Sequence, residues 1–134
     1  MSTATENSGA LILLVEDNER NARLVSEILQ VNGYRTVVAI DGWQAVEATH
    51  EHRPQLILMD LQLPGMDGLT VTRQLKADPE TAEIPIIALT AHAMPEDRAR
   101  TLDAGCCAYI SKPINYRPFV AEIGRILKGN LQLV

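Results

Sequence analysis

Short apolar runs alternate along the chain with longer segments in which apolar and polar residues are mixed. A short, continuously apolar run is typical of a strand that is buried on both faces. The runs predict strands at residues 11–15, 36–39, 56–60, 85–90 and 108–110. This alternation is the main indication of the fold.

The mixed segments carry apolar residues at the spacing of one helix face. They predict helices at residues 18–32, 43–51, 69–77, 94–104 and 116–128. The helix at 94–104 is weakly apolar, with Ala99, Leu102 and Ala104 as its main core candidates. The first and last helices have stronger apolar faces, formed by Leu24, Val25, Ile28 and Leu29 and by Phe119, Val120, Ile123, Ile126 and Leu127.

Five repeats of strand and helix predict one α/β domain. Right-handed crossovers between consecutive strands give a parallel sheet with helices on both faces. The 134 residues fit a single domain, which we place at residues 10–128. We expect residues 1–9 to be a disordered N-terminal tail and residues 129–134 to be a C-terminal tail. Ligands of such sheets bind beyond the carboxyl ends of the strands, so those ends are where a site is expected.

Polar side chains lie at four of the five strand ends, namely Glu16 and Asp17, Asp60, Thr90 and Lys112. Taken singly, each has an ordinary interpretation, such as a helix cap at Asp17; Asp60, which follows four apolar residues, fits such an interpretation least well. Two like charges repel by roughly 4 kcal/mol at about 4 Å and an effective dielectric constant of about 20. Clustered carboxylates therefore need cations. Lys112 supplies one, and a shell of oxygen ligands suits Mg²⁺ as another.

Charge and cysteine content narrow the function classes. The net charge is −5, so a general nucleic-acid surface, which needs a basic stripe, is not expected. The apolar run at residues 10–15 is too short for a signal peptide or a membrane span. Cys106 and Cys107 are adjacent and are interpreted as free thiols. We therefore expect a cytoplasmic protein without a membrane association.

Three further residues are assigned ordinary positions. Trp43 is interpreted as core or groove packing, like the methionines. His50 and His52 lie on a polar segment and are interpreted as surface residues, since their spacing alone makes no convincing metal site.

Four motifs resemble those of the response-regulator receiver domains, the CheY-like superfamily. They are LLVEDN at residues 13–18, LMDLQLPGMDG at 58–68, IALTA at 87–91 and YISKP at 109–113. The resemblance spans residues 11–127, and the segments at 15–21 and 110–114 are similar to the DivK group of single-domain regulators. It implies a flavodoxin-like (βα)₅ three-layer sandwich with a parallel sheet of order 2-1-3-4-5, the strand order that CheY shares with flavodoxin.

The resemblance also implies roles for the residues at the strand ends. Asp60 corresponds to the phosphoacceptor, and Lys112 and Thr90 correspond to the ammonium and hydroxyl that bind the phosphoryl group. Asp17 corresponds to a direct Mg²⁺ ligand and Glu16 to one that acts through water. Asp60 itself belongs to the metal ligands. Many members have two aspartates where this chain has Glu16 and Asp17, so the role of Glu16 is the less defined one.

Further roles are implied for residues around this centre. The backbone carbonyl of Gln62 completes the metal shell, and Tyr109 is the aromatic residue that changes rotamer together with Thr90. Gln62 and His92 face the reaction centre and tune the lifetime of the aspartyl phosphate; a solvated loop histidine is the alternative for His92. The Lys112–Pro113 bond is expected to be cis.

The implied function is that of a phosphorelay receiver in a two-component system. A histidine kinase or a histidine phosphotransfer protein supplies the phosphoryl group. The surface formed by the helix at 94–104, the fifth strand and the last helix then changes and controls a partner protein. Direct nucleic-acid binding is not expected, a homodimer is left open, and we do not class the chain as an enzyme.

Three alternatives remain at this point. The same motifs also resemble the receivers of hybrid histidine kinases, so a receiver domain excised from such a kinase stays open as an alternative. A magnesium-dependent phosphohydrolase that forms an aspartyl phosphate would need a second aspartate where Gln62 stands. A flavin-binding flavodoxin-like protein would need a phosphate loop after the first strand, where Glu16 and Asp17 repel phosphate.

Overall fold

The structure, a computed structural model, describes residues 9–91 and 95–132. Five parallel strands form one sheet in the order β2-β1-β3-β4-β5. The strands are β1 (Leu11–Val15), β2 (Arg35–Ala39), β3 (Leu56–Asp60), β4 (Ile86–Thr90) and β5 (Ala108–Ser111). The predicted fold class and strand order are confirmed.

A helix follows each strand. The helices are α1 (Glu19–Val31), α2 (Gly42–His52), α3 (Gly68–Ala77), α4 (Pro95–Ala104) and α5 (Tyr116–Gln132). All begin and end close to the predicted bounds except α5, which continues beyond residue 128, because Gly129 weakens a helix without ending it. The N-terminal tail was predicted at residues 1–9. Residues 1–8 lie outside the described residues, so that prediction stays untested.

Two apolar cores lie on opposite faces of the sheet. On one face, α1 and α5 pack against β1, β3 and β4, with Leu29, Phe119 and Ile123 at most 1% exposed. On the other face, α2 and α3 pack through residues such as Ala45 and Leu75. Helix α4 packs against β5 and α3. The three-layer arrangement leaves the carboxyl edge of the sheet open to loops.

The core prediction for α4 was wrong at two of its three positions. Thr101 and Ala104 are the buried residues of this helix, whereas Ala99 is exposed and Leu102 is 47% exposed. Thr101 tolerates burial because its hydroxyl donates to the carbonyl oxygen of Asp97 at 2.7 Å. The apolar pattern alone missed this because the inward residue is polar and bonds within its own helix.

Two other apolar side chains face solvent. Leu24 of α1, which was assigned to an apolar helix face, is 57% exposed. Trp43 of α2 is 61% exposed, so of its two predicted settings, core or groove packing, the core is excluded. In the part of the chain that the structure describes, no helix is both long enough and apolar enough to cross a bilayer.

Candidate functional site

The strand register brings the predicted residues to one edge of the sheet. Val15 pairs with Met59 across β1 and β3, so Glu16 and Asp60 follow as neighbours. Asp60 pairs with Leu89, and Thr90 pairs with Ser111, the residue before Lys112. The convergence predicted from the strand ends is therefore a consequence of the parallel register.

Lys112 bridges two carboxylates at this edge. Its Nζ lies 3.1 Å from Oε1 of Glu16 and 3.1 Å from Oδ2 of Asp60. Glu16 is 2% exposed and Asp60 is 4% exposed, so both charges depend on the ammonium for compensation. Burial by itself lowers the pKa of Lys112, but the hydrogen bonds and charges of the two acids together raise it.

Glu16 is held at both of its carboxylate oxygens. Oε2 accepts a hydrogen bond from the backbone N–H of Asn18 at 3.1 Å, while Oε1 faces Lys112. Burial raises the pKa of Glu16, and the negative charge of Asp60 adds to this, although Lys112 and Asn18 act in the opposite direction. A further cation at the site would stabilise the ionised form of Glu16.

Asp60 is likewise bonded at both oxygens. Oδ1 accepts from the backbone N–H of Gln62 at 2.9 Å, and Oδ2 accepts from Lys112. The loop that follows turns closely around β3, since a Cβ on Gly68 would collide with the carbonyl oxygen of Asp60. The tight turn holds Gln62 beside the carboxylate.

The acidic residues form a group suited to a hard cation. Glu16, Asp17 and Asp60 each offer a carboxylate oxygen, and these oxygens lie within 4.8 Å of one another. Three negative charges face the single positive charge of Lys112, which leaves the group with an excess of two negative charges if all are ionised. An all-oxygen donor set with this excess fits Mg²⁺. Asp17 itself is exposed, so the cluster is open to solvent.

The residue before α1 combines two tasks. Asn18 donates its N–H to Glu16 and also caps α1, because its Oδ1 accepts from the N–H of Asn21 at 2.9 Å. The helix cap, which was the ordinary interpretation of Asp17, is therefore formed by Asn18. Asp17 does not cap the helix, and its carboxylate belongs to the acidic group.

The two predicted switch residues lie on neighbouring strands. Thr90 is 4% exposed at the end of β4, and its carbonyl oxygen accepts from the N–H of Lys112 at 2.8 Å. Tyr109 is half-buried in β5, with the guanidinium of Arg98 positioned 5.5 Å from the centre of its ring. This cation–π contact joins α4 to β5. The sequence did not reveal it, because no spacing rule connects residues on these two elements.

The other predicted positions have mixed outcomes. The Gln62 side chain is exposed beside the site, and the Lys112–Pro113 bond is cis as expected. His92 lies outside the described residues, so its tuning role stays a prediction. Thr90 and Gln62 also line a polar cavity of about 270 Å³ that reaches Asp97 and Arg100 of α4.

A second cavity, which the sequence did not indicate, adjoins the site on its other side. It has a volume of about 360 Å³ and lies between α1 and the segment after β5. Leu24, Ile28, Pro113 and Ile114 supply its apolar walls, and Glu16 and Lys112 lie at one end. The exposure of Leu24 follows from its position on this wall.

Comparison with known proteins agrees with this geometry. The family model of the response regulator receiver domain matches residues 12–123. The polar-differentiation response regulator DivK of Brucella anthropi is 47% identical over 112 residues, which cover 84% of this chain and 91% of that protein. The receiver domain of sensor histidine kinase PA1611 from Pseudomonas aeruginosa, solved with a magnesium ion coordinated in its active site cleft, is 42% identical, with a TM-score of 0.78 and coverage of 90% and 96%. A CheY-like receiver domain protein from Methanospirillum hungatei is 26% identical, with a TM-score of 0.86 and coverage of 92% and 98%.

Proposed function

This chain belongs to the response regulator receiver family of two-component systems, and from that premise we propose that Asp60 is its phosphoacceptor. One observation carries the proposal. The buried carboxylate of Asp60 is bridged by Lys112 to Glu16 and shares an oxygen cluster with Asp17. A nucleophile, a cation and metal ligands therefore meet at one point.

The donor is a phosphohistidine on a histidine kinase or a histidine phosphotransfer protein. A carboxylate oxygen of Asp60 attacks the phosphorus atom, the P–O bond forms as the P–N bond breaks, and the leaving imidazole nitrogen keeps the electron pair and takes up a proton. The product is an aspartyl phosphate. The protein contributes mainly alignment and charge stabilisation, as is usual in phosphoryl transfer.

Charge on the transferred group is stabilised by residues already at the site. The ammonium of Lys112 lies within hydrogen-bond distance of Asp60, and the Thr90 hydroxyl belongs to the neighbouring strand end. Glu16, Asp17, Asp60 and the carbonyl of Gln62 would hold Mg²⁺, which when bound neutralises charge on the acids and the phosphoryl oxygens. Gln62 and His92 would set the lifetime of the product through access of water.

Phosphorylation would then change the α4-β5-α5 face. The new group brings negative charge and strong acceptor oxygens, so Thr90 moves toward it and Tyr109 turns inward. Helix α4 is suited to move because few of its side chains anchor it. Among its described residues, only Thr101 and Ala104 are buried. A downstream protein that binds this face would need an affinity difference of a few kcal/mol between the two states.

The chain acts in this scheme as a phosphoryl acceptor and switch and not as a turnover enzyme. A phosphohydrolase lacks support, since Gln62 stands where its second acid would be. The relatives include both a polar-differentiation response regulator and the receiver domain of a sensor histidine kinase. The proposed chemistry at Asp60 would be the same in either setting. The free thiols of Cys106 and Cys107 support a cytoplasmic location, and we propose protein partners without direct nucleic-acid contact.

The test uses phosphoramidate, a small donor with a P–N bond, together with Mg²⁺. We expect the chain to gain the mass of one phosphoryl group, and Asp60→Asn to abolish the gain. The matched control is Asp103→Asn, which changes an exposed aspartate on α4. Labelling that persists in Asp60→Asn would assign another acceptor, and sustained hydrolysis of phosphate esters would favour the phosphohydrolase. Beryllofluoride with Mg²⁺ should in addition shift the NMR signals of Thr90 and Tyr109.

A further inference from the structure

The β3–α3 loop, residues 61–67, is anchored at both ends. At its start, the N–H of Gln62 donates to Asp60 at 2.9 Å. At its end, Asp67 caps α3 by accepting from the N–H groups of Leu69 and Thr70. The N–H of Gly68 also donates back to the carbonyl oxygen of Leu61 at 3.2 Å, which closes the loop.

The middle of this loop rests on the start of α2. Gly65 has φ +81°, and a Cβ added to it would lie 2.9 Å from Cζ3 and 3.2 Å from Cη2 of Trp43. The six-membered ring of the indole therefore lies against the bare backbone of this glycine. A Cβ on Gly42 would lie 3.1 Å from Sδ of Met66, so the same helix end also contacts the next loop residue.

The start of α2 is itself fixed in place. Asp41 caps the helix, with its Oδ1 accepting from the N–H of Gln44 at 2.8 Å. In return, Oε1 of Gln44 accepts from the N–H of Ile40 at 3.0 Å. These two hydrogen bonds differ from a capping box in that Gln44 bonds the residue before the cap and not the cap itself, but they likewise fix the backbone that carries Trp43.

Burial does not account for Trp43, since 61% of the residue is exposed. The exposed part of an apolar ring gains nothing from the hydrophobic effect, whereas the six-membered ring of Trp43 contacts the bare backbone of Gly65. Resting on the proposed function, we propose that Trp43 is a positioning residue for the magnesium site, holding the β3–α3 loop so that the Gln62 carbonyl meets the cation bound by Glu16, Asp17 and Asp60.

The test measures Mg²⁺ binding by calorimetry in the wild-type chain and in Trp43→Ala. Residues that support a metal site from outside the ligand set change affinity by roughly 10–100-fold when they are mutated. We expect the Mg²⁺ affinity of Trp43→Ala to be about tenfold weaker, near the lower end of that range. The affinity of Trp43→Phe should be close to that of the wild type. The control is Val31→Ala, which truncates another exposed apolar side chain, 76% exposed at the end of α1. Unfolding curves establish that each variant is folded.

Two further readouts do not depend on phosphorylation. Amide hydrogen exchange at Gln62, Leu63, Gly65 and Met66, which carry the N–H groups of this stretch, should accelerate in Trp43→Ala without metal and stay unchanged in Val31→Ala. The chain has one tryptophan, so wild-type fluorescence reports on this ring and should change on adding Mg²⁺. Wild-type affinity and unchanged exchange in Trp43→Ala would overturn this inference and leave the proposed function intact. A wild-type chain that binds no Mg²⁺ would overturn both.

Discussion

The ammonium of Lys112, which follows β5, lies 3.1 Å from the carboxylate of Asp60 at the end of β3, although β4 separates the two strands. The side chain of Lys112 therefore reaches past a strand to compensate a buried charge. Because Glu16 shares the same ammonium at 3.1 Å, Lys112 serves two acids at once. In the proposed function, the reactivity of Asp60 toward a phosphoryl donor would depend on this arrangement.

Lys112→Ala should slow phosphorylation by phosphoramidate. Removing one preorganised donor from a site of developing negative charge lowers a rate by roughly 10²–10³-fold. Mass spectrometry of the labelled chain over time gives the rate. Lys128→Ala, which removes an exposed lysine of α5, is the matched control. A Lys112→Ala rate equal to that of the wild type would remove Lys112 from the mechanism.

His50→Gln should reduce stability in a limited pH range. His50 Nε2 lies 2.8 Å from Oδ2 of Asp78, and the hydrogen bond raises the pKa of His50. The N–H of Glu80 and then His50 lower the pKa of Asp78. The stability contributed by His50 is complete below its ordinary pKa of about 6.5 and is lost as pH rises through the raised value. The stability contributed by Asp78 is present above its ordinary pKa of about 3.9 and is lost as pH falls through the lowered value.

Thermal unfolding of the wild type and His50→Gln should therefore differ most between about pH 4 and 6.5 and converge in alkaline solution. His52→Gln, which removes a histidine from the same helix, controls for the substitution. A difference between wild type and His50→Gln that is constant from pH 4 to 9 would show that the ion pair is not its source.

Cys107 should react with a thiol reagent well before Cys106. Cys106 is 5% exposed, and burial raises its pKa to about 11, so almost no thiolate is present near pH 8. Cys107 is exposed. Titration with a chromogenic disulfide at pH 8 should give one rapid equivalent in the native chain and a second on unfolding. Cys107→Ser should remove the rapid equivalent; if it remains, Cys106 is accessible.

Phe119→Ala should lower the free energy of unfolding by about 3–5 kcal/mol, because the ring is 1% exposed and its loss leaves a cavity in the α1–α5 core. Tyr116→Ala on the same helix is the comparison, since Tyr116 is 50% exposed and accepts one hydrogen bond from Asn32. Tyr116→Ala should lower the free energy of unfolding by only about 1 kcal/mol. Urea unfolding measures both, and equal costs would mean that α5 packs differently.

Most of the fold and the location of the site follow from the sequence for one physical reason. A buried parallel strand is continuously apolar, so a charged residue such as Asp60 marks the strand end, and parallel pairing aligns all such ends at one edge. The strand pattern and parallel pairing were sufficient to predict that Asp60 and Glu16 lie close together. The proposal that Asp60 is the phosphoacceptor came from the family motifs and not from the pattern.

What the sequence did not reveal depends on contacts between distant side chains. Thr101 is buried because its hydroxyl bonds to its own helix, which hydrophobicity does not register. Trp43 was assigned to core or groove packing, but nothing in the sequence indicated that its ring contacts the backbone of Gly65. Arg98 and Tyr109 meet only because α4 lies over β5. These contacts depend on the packed arrangement of the elements.

The contact between Glu16 and Lys112 joins residues 96 positions apart. During synthesis, the first acid leaves the ribosome long before the lysine that compensates it, so a nascent chain holds an incomplete pocket until β5 has been added to the sheet. With Asp60 as the proposed phosphoacceptor, phosphoryl acceptance would thereby be linked to completion of the fold, and a partly made chain would lack a competent acceptor.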